Sequence, residues 1–360
     1  MKLTAKLKLL PTEEQATILK QTLQTANAAC NYISQRAYDA QTFRQFPLHK
    51  LVYADIRTAY PLTAQVVVRC ISKVADAYKI DRANMRHFKP LGAIAYDTRI
   101  LRYRLTHSEV SIWTLAGRQT IPFTCGDRQR ELLQTQHGES GLCYVDGIFY
   151  LLVTCDIETP EPIDIRDVLG LDMGIVNIAV DSDGNTYSGA AVEQNRRIYA
   201  HRRRNLQRKG TRSAKRKLKL IAGKQARYQA DVNHVISKQV VRNAERTGRA
   251  IAIEELRGIR DRVRACKRQR ARLANWAFFQ LRCFIDYKAA LAGMTVLPVD
   301  PRNTSRTCPA CGCIDKANRP SQSLFLCVSC GHSGPADHVA ALNIRARAAV
   351  NQPMVATLSG

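Results

Sequence analysis

The sequence predicts an α/β protein of several domains, and three observations carry that expectation. Residues 168–180 are an apolar run holding a single acid, Asp172, set among glycines. Residues 250–254, Ala-Ile-Ala-Ile-Glu, are a second buried-strand run that ends in acids, where open α/β sheets place their chemistry. Stretches with apolar residues at helical spacing, and a block of short alternating strands, fill much of the remainder.

At 360 residues the chain can bury the cores of two or three domains, and its 45% hydrophobic content is ordinary for a globular protein. The formal charge of +25, from 55 Lys and Arg against 30 Asp and Glu, exceeds what solubility requires and points to a polyanionic partner, nucleic acid first. A basic membrane-surface protein is the competing class. Against it, the sequence has no run of about 18 apolar residues, and Lys2, Lys6 and Lys8 interrupt any signal-peptide core. The expected place is the cytoplasm. Of twelve cysteines, Cys30, Cys70, Cys125, Cys143, Cys155, Cys266 and Cys283 scatter among apolar or helical stretches. They read as reduced core thiols, not as a disulfide framework.

In chain order, Leu3, Ala5, Leu7 and Leu9 alternate with Lys2, Thr4, Lys6 and Lys8, which predicts a half-buried strand. Thr12 reads as a helix N-cap with Gln15 in the capping-box position, followed by Ile18, Leu19, Leu23, Ala26 and Ile33. Helices are expected to about residue 88, broken at Pro47 and Pro61. Short strands follow at residues 100–105, 110–115, 120–123, 142–145 and 148–155, the last two joined by an Asp146-Gly147 turn. The first strand is expected to join this sheet. Thr159-Pro-Glu-Pro162 is a linker, and Asp183-Gly184 turns a further hairpin.

Between Arg196 and Arg227 there are fourteen Lys and Arg and no Asp or Glu. A solvated face would intersperse acids, so phosphate contacts are expected from Arg196, Arg197, Arg202, Arg203, Arg204, Arg208 and Lys209. Arg212, Lys215, Arg216 and Lys217 continue the set beyond a loop at Gly210-Thr211, on a second helix running to about Arg246. Residues 257–272 are a second basic stretch, ahead of a helix over 276–291.

With a side-chain period of two, Gly170, Asp172 and Gly174 share one strand face. On this reading the glycines let a metal ion and a phosphate backbone approach the carboxylate; a strand-end Asp beside turn glycines is the plain alternative. Glu254 is preferred to Glu255 as the second acid, although the pattern separates the two poorly. Asp337 opens a helix, where capping alone could account for it. Three carboxylates from two strand ends and a helix start suit two hard, oxygen-ligated ions, most simply Mg²⁺ held roughly 3.5–4 Å apart, for phosphodiester hydrolysis. Separately, Cys308-Pro-Ala-Cys311 and Cys327-Val-Ser-Cys330 are two C-x2-C knuckles at zinc-ribbon spacing, expected to hold one structural Zn²⁺. Cys313 is a spare thiol that could compete for a ligand position.

Together these motifs resemble the TnpB (OrfB-like) nucleases of insertion sequences, relatives of the type V CRISPR effectors. The resemblance runs nearly end to end: the strand at 3–10 with Pro11-Thr12, Gly170-Leu-Asp-Met-Gly174, Ile253-Glu-Glu-Leu256, Tyr287-Lys-Ala289, Thr304-Ser-Arg-Thr-Cys-Pro-Ala-Cys-Gly312 and Ala336-Asp-His-Val-Ala-Ala-Leu-Asn343. It implies an RNase H-like RuvC nuclease domain with its catalytic acids at Asp172, Glu254 and Asp337. It also implies a wedge-like β-barrel over 1–10 and 92–162, an inserted helical recognition domain over 11–91, and the nuclease domain over 163–300 with a basic helical insert at about 194–246. A zinc ribbon that binds target nucleic acid would occupy 301–333, and the closing RuvC helix 334–360. The implied partners are a guide RNA encoded by the element and a double-stranded DNA target, with base pairing supplying specificity. Two departures stand out: Ala336 occupies a position where many family members carry Arg, and the helical block is short. The alternatives are an RNA-guided regulator that binds without cutting, and a transposase or transposition accessory that works without a guide.

Overall fold

Period-two alternation builds the first strand, β1 (Lys2–Leu9), which buries Ala5, Leu7 and Leu9 and leaves its lysines in solvent. The computed structural model describes residues 1–162, 165, 167–255 and 277–350. They fall into two compact units, Met1–Glu158 and Thr159–Gly360. The basic stretch at 257–272, Cys266, Leu256 and Trp276 lie outside the described residues, as do residues 351–360 of the expected closing helix.

In the first unit, among the described residues, β1 is a central strand of a nearly closed, seven-stranded antiparallel sheet. The other strands are β2 (Ile94–Tyr96), β3 (Leu101–Arg104), β4 (Glu109–Thr114), β5 (Gly117–Thr124), β6 (Gln136–Val145) and β7 (Ile148–Asp156), in the order β2-β6-β7-β1-β5-β4-β3. β1 therefore pairs with β7 on one side and β5 on the other, across the intervening helices. Asp146 and Gly147 turn the β6–β7 hairpin with φ of 49° and 87°, the left-handed pair that a tight hairpin requires. The capping box forms as expected: Gln15 N donates to Thr12 Oγ1, and Thr12 N to Gln15 Oε1, both at 3.2 Å.

The helical block departs from expectation in two places. Its helices are α1 (Glu13–Asp39), α2 (Gln45–Ala59) and α3 (Ala64–Ile80). Pro47 does not break the block; it sits in the first turn of α2, where a missing N–H costs nothing, and the break falls at residues 40–44. The block also ends at Ile80 instead of near 88, because asparagines of α1 take over the backbone beyond it. Asn31 exchanges hydrogen bonds with Phe88 at 2.7 and 3.0 Å, and Asn27 Nδ2 donates to Pro90 O and Gly92 O at 3.2 and 2.9 Å. β2 and a short helix, α4 (Asp127–Leu133), were not foreseen.

The second unit is built on a mixed sheet that holds, among the described residues, five strands: β8 (Val168–Asp172), β9 (Asn177–Asp181), β10 (Thr186–Ser188), β11 (Ala250–Glu254) and β12 (Val296–Val299). Their order is β10-β9-β8-β11-β12, with β8, β11 and β12 parallel and β9 and β10 antiparallel. Residues 168–180 are thus a hairpin, not one strand. On one face, Leu169, Leu171, Ile251 and Ile253 pack against α6 (Arg212–Thr247) and α7 (Phe278–Leu291) through Val240, Ala244, Leu281 and Ile285. On the other, Val168, Ala250 and Ala252 pack against Ile344 and Ala348 of α8 (Ala336–Val350). α5 (Ala190–Lys209) meets α6 at Gly210, φ +64°, with Thr211 Oγ1 capping Ala214 N at 3.2 Å, as the sequence predicts. A short hairpin of β13 (Leu324–Leu326) and β14 (Ser333–Pro335) precedes α8. Among the described residues, no helix is long and apolar enough to cross a membrane.

The two glycines beside Asp172 have a different purpose from the one expected. A Cβ on Gly170 would stand 2.1 Å from Ala341 O and 2.7 Å from Arg345 N, so its bare face is filled by the backbone of α8. A Cβ on Gly174 would meet Asn177 O at 2.8 Å, inside the β8–β9 turn. Gly170→Ala must therefore lift α8 off the sheet. The expected cost is about 1–3 kcal/mol, a fall in melting temperature of roughly 2–10 °C for a unit of this size, read by differential scanning calorimetry.

Candidate active site and metal centre

The sheet register sets two acids side by side. In the parallel pair β8 and β11, Ile253 lies opposite Leu171, and Glu254 and Asp172 follow on each strand. Neighbouring strands are about 4.8 Å apart and alternate side chains share a face, so both carboxylates leave the sheet on the side that α8 covers. Asp337 lies in the first turn of α8. Its partners are side chains: Asn177 Nδ2 donates to Oδ2 at 2.9 Å, and Arg319 Nη2 lies 3.4 Å from Oδ1. Glu254 Oε1 accepts from the buried hydroxyl of Thr304. Glu255 starts the departing segment, its N–H bonded to Val299 O at 2.9 Å.

Crowding sets the electrostatics. Burial first, then the charges of Glu254 and Asp337, push the Asp172 carboxyl up to about 8, against the opposing pull of Arg319 and the Met173 N–H. Burial also raises Glu254, while the Thr304 hydroxyl and the guanidinium groups of Arg347 and Arg319 hold it down. These guanidinium groups only partly offset the burial and mutual repulsion at Asp172, and the three acids together could hold hard divalent cations. A cleft of about 620 Å³ opens beside Asp337, lined in part by Asn177, Thr186, Gln322, Ser323 and His338.

Arg319 was not foreseen. It stands in a polar loop eighteen residues before Asp337, and nothing in its local sequence marks it. Ala336, where the resemblance leads one to expect Arg, is buried beside Cys308, Phe325, Cys327 and Val339, in a pocket with no need of a charge. The guanidinium next to Asp337 comes instead from the ribbon. Thr304 and Asn343 lie inside quoted motifs, yet only the folded chain gives them a partner.

The four knuckle cysteines converge. Cys308 Sγ lies 3.6 Å from Cys330 Sγ and Cys311 Sγ 3.5 Å from Cys327 Sγ, and all four sulfurs lie within 4.8 Å of one another. Each C-x2-C turn closes on a left-handed glycine, Gly312 at φ 76° and Gly331 at φ 74°. The backbone N–H of Cys330, with that of Ser329, draws the Cys327 thiol down to about 6. Cys330 gains an N–H bond from His332, yet crowding by the thiols of Cys311, Cys308 and Cys327 drives it up to about 12. One thiolate is favoured and four are not, unless a cation sits among them; a soft tetrahedral set of this kind fits zinc. Cys313 packs against this cluster.

The basic residues divide by what already holds them. Arg196 chelates Glu193 through Nε and Nη2 at 2.7 and 2.9 Å, and Arg197 Nε reaches the same carboxylate at 3.0 Å. Arg203 donates to Gln225 at 2.7 Å. Arg202, Arg204, Arg208, Lys209, Arg212, Lys215, Arg216 and Lys217 are exposed along α5 and α6, and Arg202 lies over the Tyr199 ring at 5.6 Å.

Comparison with known proteins places these features in company. The family described as "Probable transposase" matches residues 152–258, and "Cas12f1-like, TNB domain" matches residues 278–344. TnpB-like protein MJ0751 of Methanocaldococcus jannaschii is 32% identical over 197 residues, covering 51% of this chain and 70% of that protein. CRISPR-associated endodeoxyribonuclease Cas12f1 of Sulfoacidibacillus thermotolerans is 31% identical over 214 residues, 54% of this chain; the match spans about half of that relative's length, 49%. A cryo-EM structure of a Cas12f1-sgRNA-target DNA complex shares the fold, with a TM-score of 0.64 at 14% identity over 93% of this chain and 83% of that one.

Two outcomes are expected. The purified chain should carry one zinc ion, and Cys308→Ser should lose it while the mixed sheet keeps its far-UV signature; elemental analysis that finds zinc retained would assign its place to Cys313. At the acids, the folded-state pKa of Asp172 lies above its ordinary value, so its proton stabilises the metal-free fold fully below about pH 4, and that stabilisation is lost as pH rises through about 8. A divalent cation must displace that proton. Calorimetric affinity for Mn²⁺ should thus rise by up to about tenfold per pH unit from pH 6 to 8 and then level off.

Proposed function

This chain belongs to the TnpB (OrfB-like) family, and on that footing we propose that it is an RNA-guided, metal-dependent DNA endonuclease of an insertion sequence. One observation carries the reading: Asp172, Glu254 and Asp337 come from three separate elements to one side of the mixed sheet, where the charges of Glu254 and Asp337 act against ionisation of Asp172. A protein gains nothing in stability from such a cluster. It is the arrangement of a site that completes itself with cations.

The mixed sheet with acids at the carboxyl ends of two parallel strands supports an RNase H-like, RuvC-type nuclease domain over residues 163–300, closed by the helix from 334. Residues 1–10 and 92–162 are then the wedge-like barrel, 11–91 the recognition helices, about 194–246 the basic insert, and 301–333 the ribbon that meets target nucleic acid. A relative named as an endodeoxyribonuclease supports DNA as the substrate. The acid-free basic run supports a second, backbone-bound polyanion, the guide RNA encoded by the element.

The donor set suits Mg²⁺: every donor is a hard carboxylate, and burial together with the charges of Glu254 and Asp337 disfavours ionisation of Asp172 until a cation offsets them. Asp172, Glu254 and Asp337 would hold them, and when bound they supply an activated water and stabilise the leaving oxygen. The chain's own residues prepare that site. Arg319 favours ionisation of Asp172 and Glu254 while pairing with Asp337. Asn177 donates to Oδ2 of Asp337 while Arg319 faces Oδ1, which orients the carboxylate and leaves each oxygen a further lone pair. Exposed arginines and lysines of α5 and α6 grip phosphates without reading bases, which leaves sequence choice to base pairing.

Asp172→Ala tests the reading. With the native guide RNA and Mg²⁺, the variant should lose cleavage of matched DNA by roughly 10³-fold or more, while its Kd for that DNA stays within about threefold. Wild-type protein that binds matched DNA and leaves it intact would make the chain a guided regulator, and strand-joined products would make it a transposase.

A further inference from the structure

The ribbon is tied to the acid cluster at two points, one ahead of Cys308 and one between the two knuckles. On the entry side, the segment between β12 and Cys308 carries Thr304, which is 3% exposed. Its hydroxyl has one proton and two acceptors in reach, Glu254 Oε1 and, at 3.1 Å, Pro301 O; the closer, charged oxygen takes it. The backbone of that segment is clamped from α8. Asn343 Nδ2 donates to Thr304 O at 2.8 Å and to Thr307 O at 2.7 Å, and Arg347, one turn on, donates to Asp300 O at 3.1 Å and to Arg302 O. Thr307 is followed directly by the first zinc ligand, Cys308.

Between the two knuckles, Asn318 is fully buried. Its Nδ2 donates to Arg306 O at 2.9 Å and Cys313 O at 3.1 Å, and its Oδ1 accepts from Val328 N at 2.9 Å, which fastens both knuckles to the entry segment. The next residue is Arg319, paired with Asp337. The ribbon therefore holds one oxygen of Glu254 through Thr304 and faces one oxygen of Asp337 through Arg319.

Resting on the reading of the three acids as a divalent-cation site, we propose that Thr304, clamped by Asn343, is a positioning residue for Glu254, and that through this link the zinc-loaded ribbon sets cation affinity at the acids. Zinc at the four cysteines fixes residues 304–308; that fixes the Thr304 hydroxyl; the hydroxyl fixes the carboxylate. A hydroxyl that orients a metal-ligating carboxylate is worth about 10–100-fold in affinity.

The test is calorimetric titration of the full chain with Mn²⁺, without nucleic acid. Thr304→Val should weaken binding by about 10–100-fold with zinc still present at one ion per chain, and Thr304→Ser, which restores the hydroxyl, should bring affinity back to within about threefold. Wild-type protein stripped of zinc by dialysis against a chelator should show a similar loss, reversed when zinc is returned; this arm decides the matter should the valine variant fail to fold. Unchanged Mn²⁺ affinity in both Thr304→Val and zinc-stripped protein, or a serine variant no better than valine, overturns the proposal. Asp172→Ala separates the two levels: if wild type and Asp172→Ala bind Mn²⁺ equally, the reading of the acids has failed, and the role of Thr304 falls with it.

Discussion

The second unit depends on how closely α8 lies on β8. Gly170 has no Cβ, and the space a Cβ would need is taken by the carbonyl of Ala341 and the amide of Arg345. Asp337, Ala341 and Arg345 are spaced at i, i+4 and i+8, one stripe of the helix, so the contact that seats the middle of α8 also delivers its first turn to the end of β8. Arg345 extends the stripe through Nη2, which donates to both carboxylate oxygens of Asp167, at 3.0 and 2.8 Å. A helix one side chain further from the sheet would leave Asp337 out of reach of Asp172.

That seating concentrates negative charge where a fold of this kind would otherwise put apolar packing. Small residues, Gly170 and Ala252, line the same sheet face as Asp172 and Glu254. The close helix and the crowded acids are therefore one design: the strand positions that admit α8 are two residues upstream of those that carry the carboxylates. Arg319, Asn177 and Thr304 each satisfy part of one acid, but none neutralises Asp172, which is left at about 8. The surrounding core, Leu169, Leu171, Ile251 and Ile253 against α6 and α7, supplies the stability that lets such a cluster persist.

Features encoded by neighbours in sequence were legible before folding. The Thr12 and Gln15 capping box, the Asp146-Gly147 turn, the Gly210-Thr211 break and the two C-x2-C knuckles each depend on a few adjacent residues, and each forms. Asp172 and Glu254 stand out in the sequence because each closes an apolar strand run, whereas Asp337 stands out only as an acid in a first helical turn. What could not be read was any feature whose cause lies across the fold. Gly170 looked like room for a ligand because nothing local announces that a helix from residues 336–350 will fill it. Pro47 looked like a break because its first-turn placement depends on where α2 begins. The asparagines that end the helical block near Ile80 act on residues about sixty positions away. Arg319 carries no pattern, since its significance is only its distance from Asp337. The pairing of Arg196 and Arg197 with Glu193 is not visible in the acid-free run, because Glu193 lies just outside it.

Chain order then gives the ribbon its place in the energetics. It is inserted between β12, the neighbour of the Glu254 strand, and α8, the carrier of Asp337, so its closure draws together the two segments that complete the cluster. Coupling of this kind is reciprocal: whatever factor zinc contributes to cation affinity at the acids, cations at the acids contribute to zinc retention. A carboxylate set favours hard ions and a four-thiolate set favours zinc, so the two groups of donors rank metals differently. On the proposed coupling, loss of zinc weakens cation binding at the acids through Thr304, without any change to Asp172, Glu254 or Asp337. On that proposal the four cysteines act on the acid cluster through the chain segment that runs from Cys308 back to Thr304.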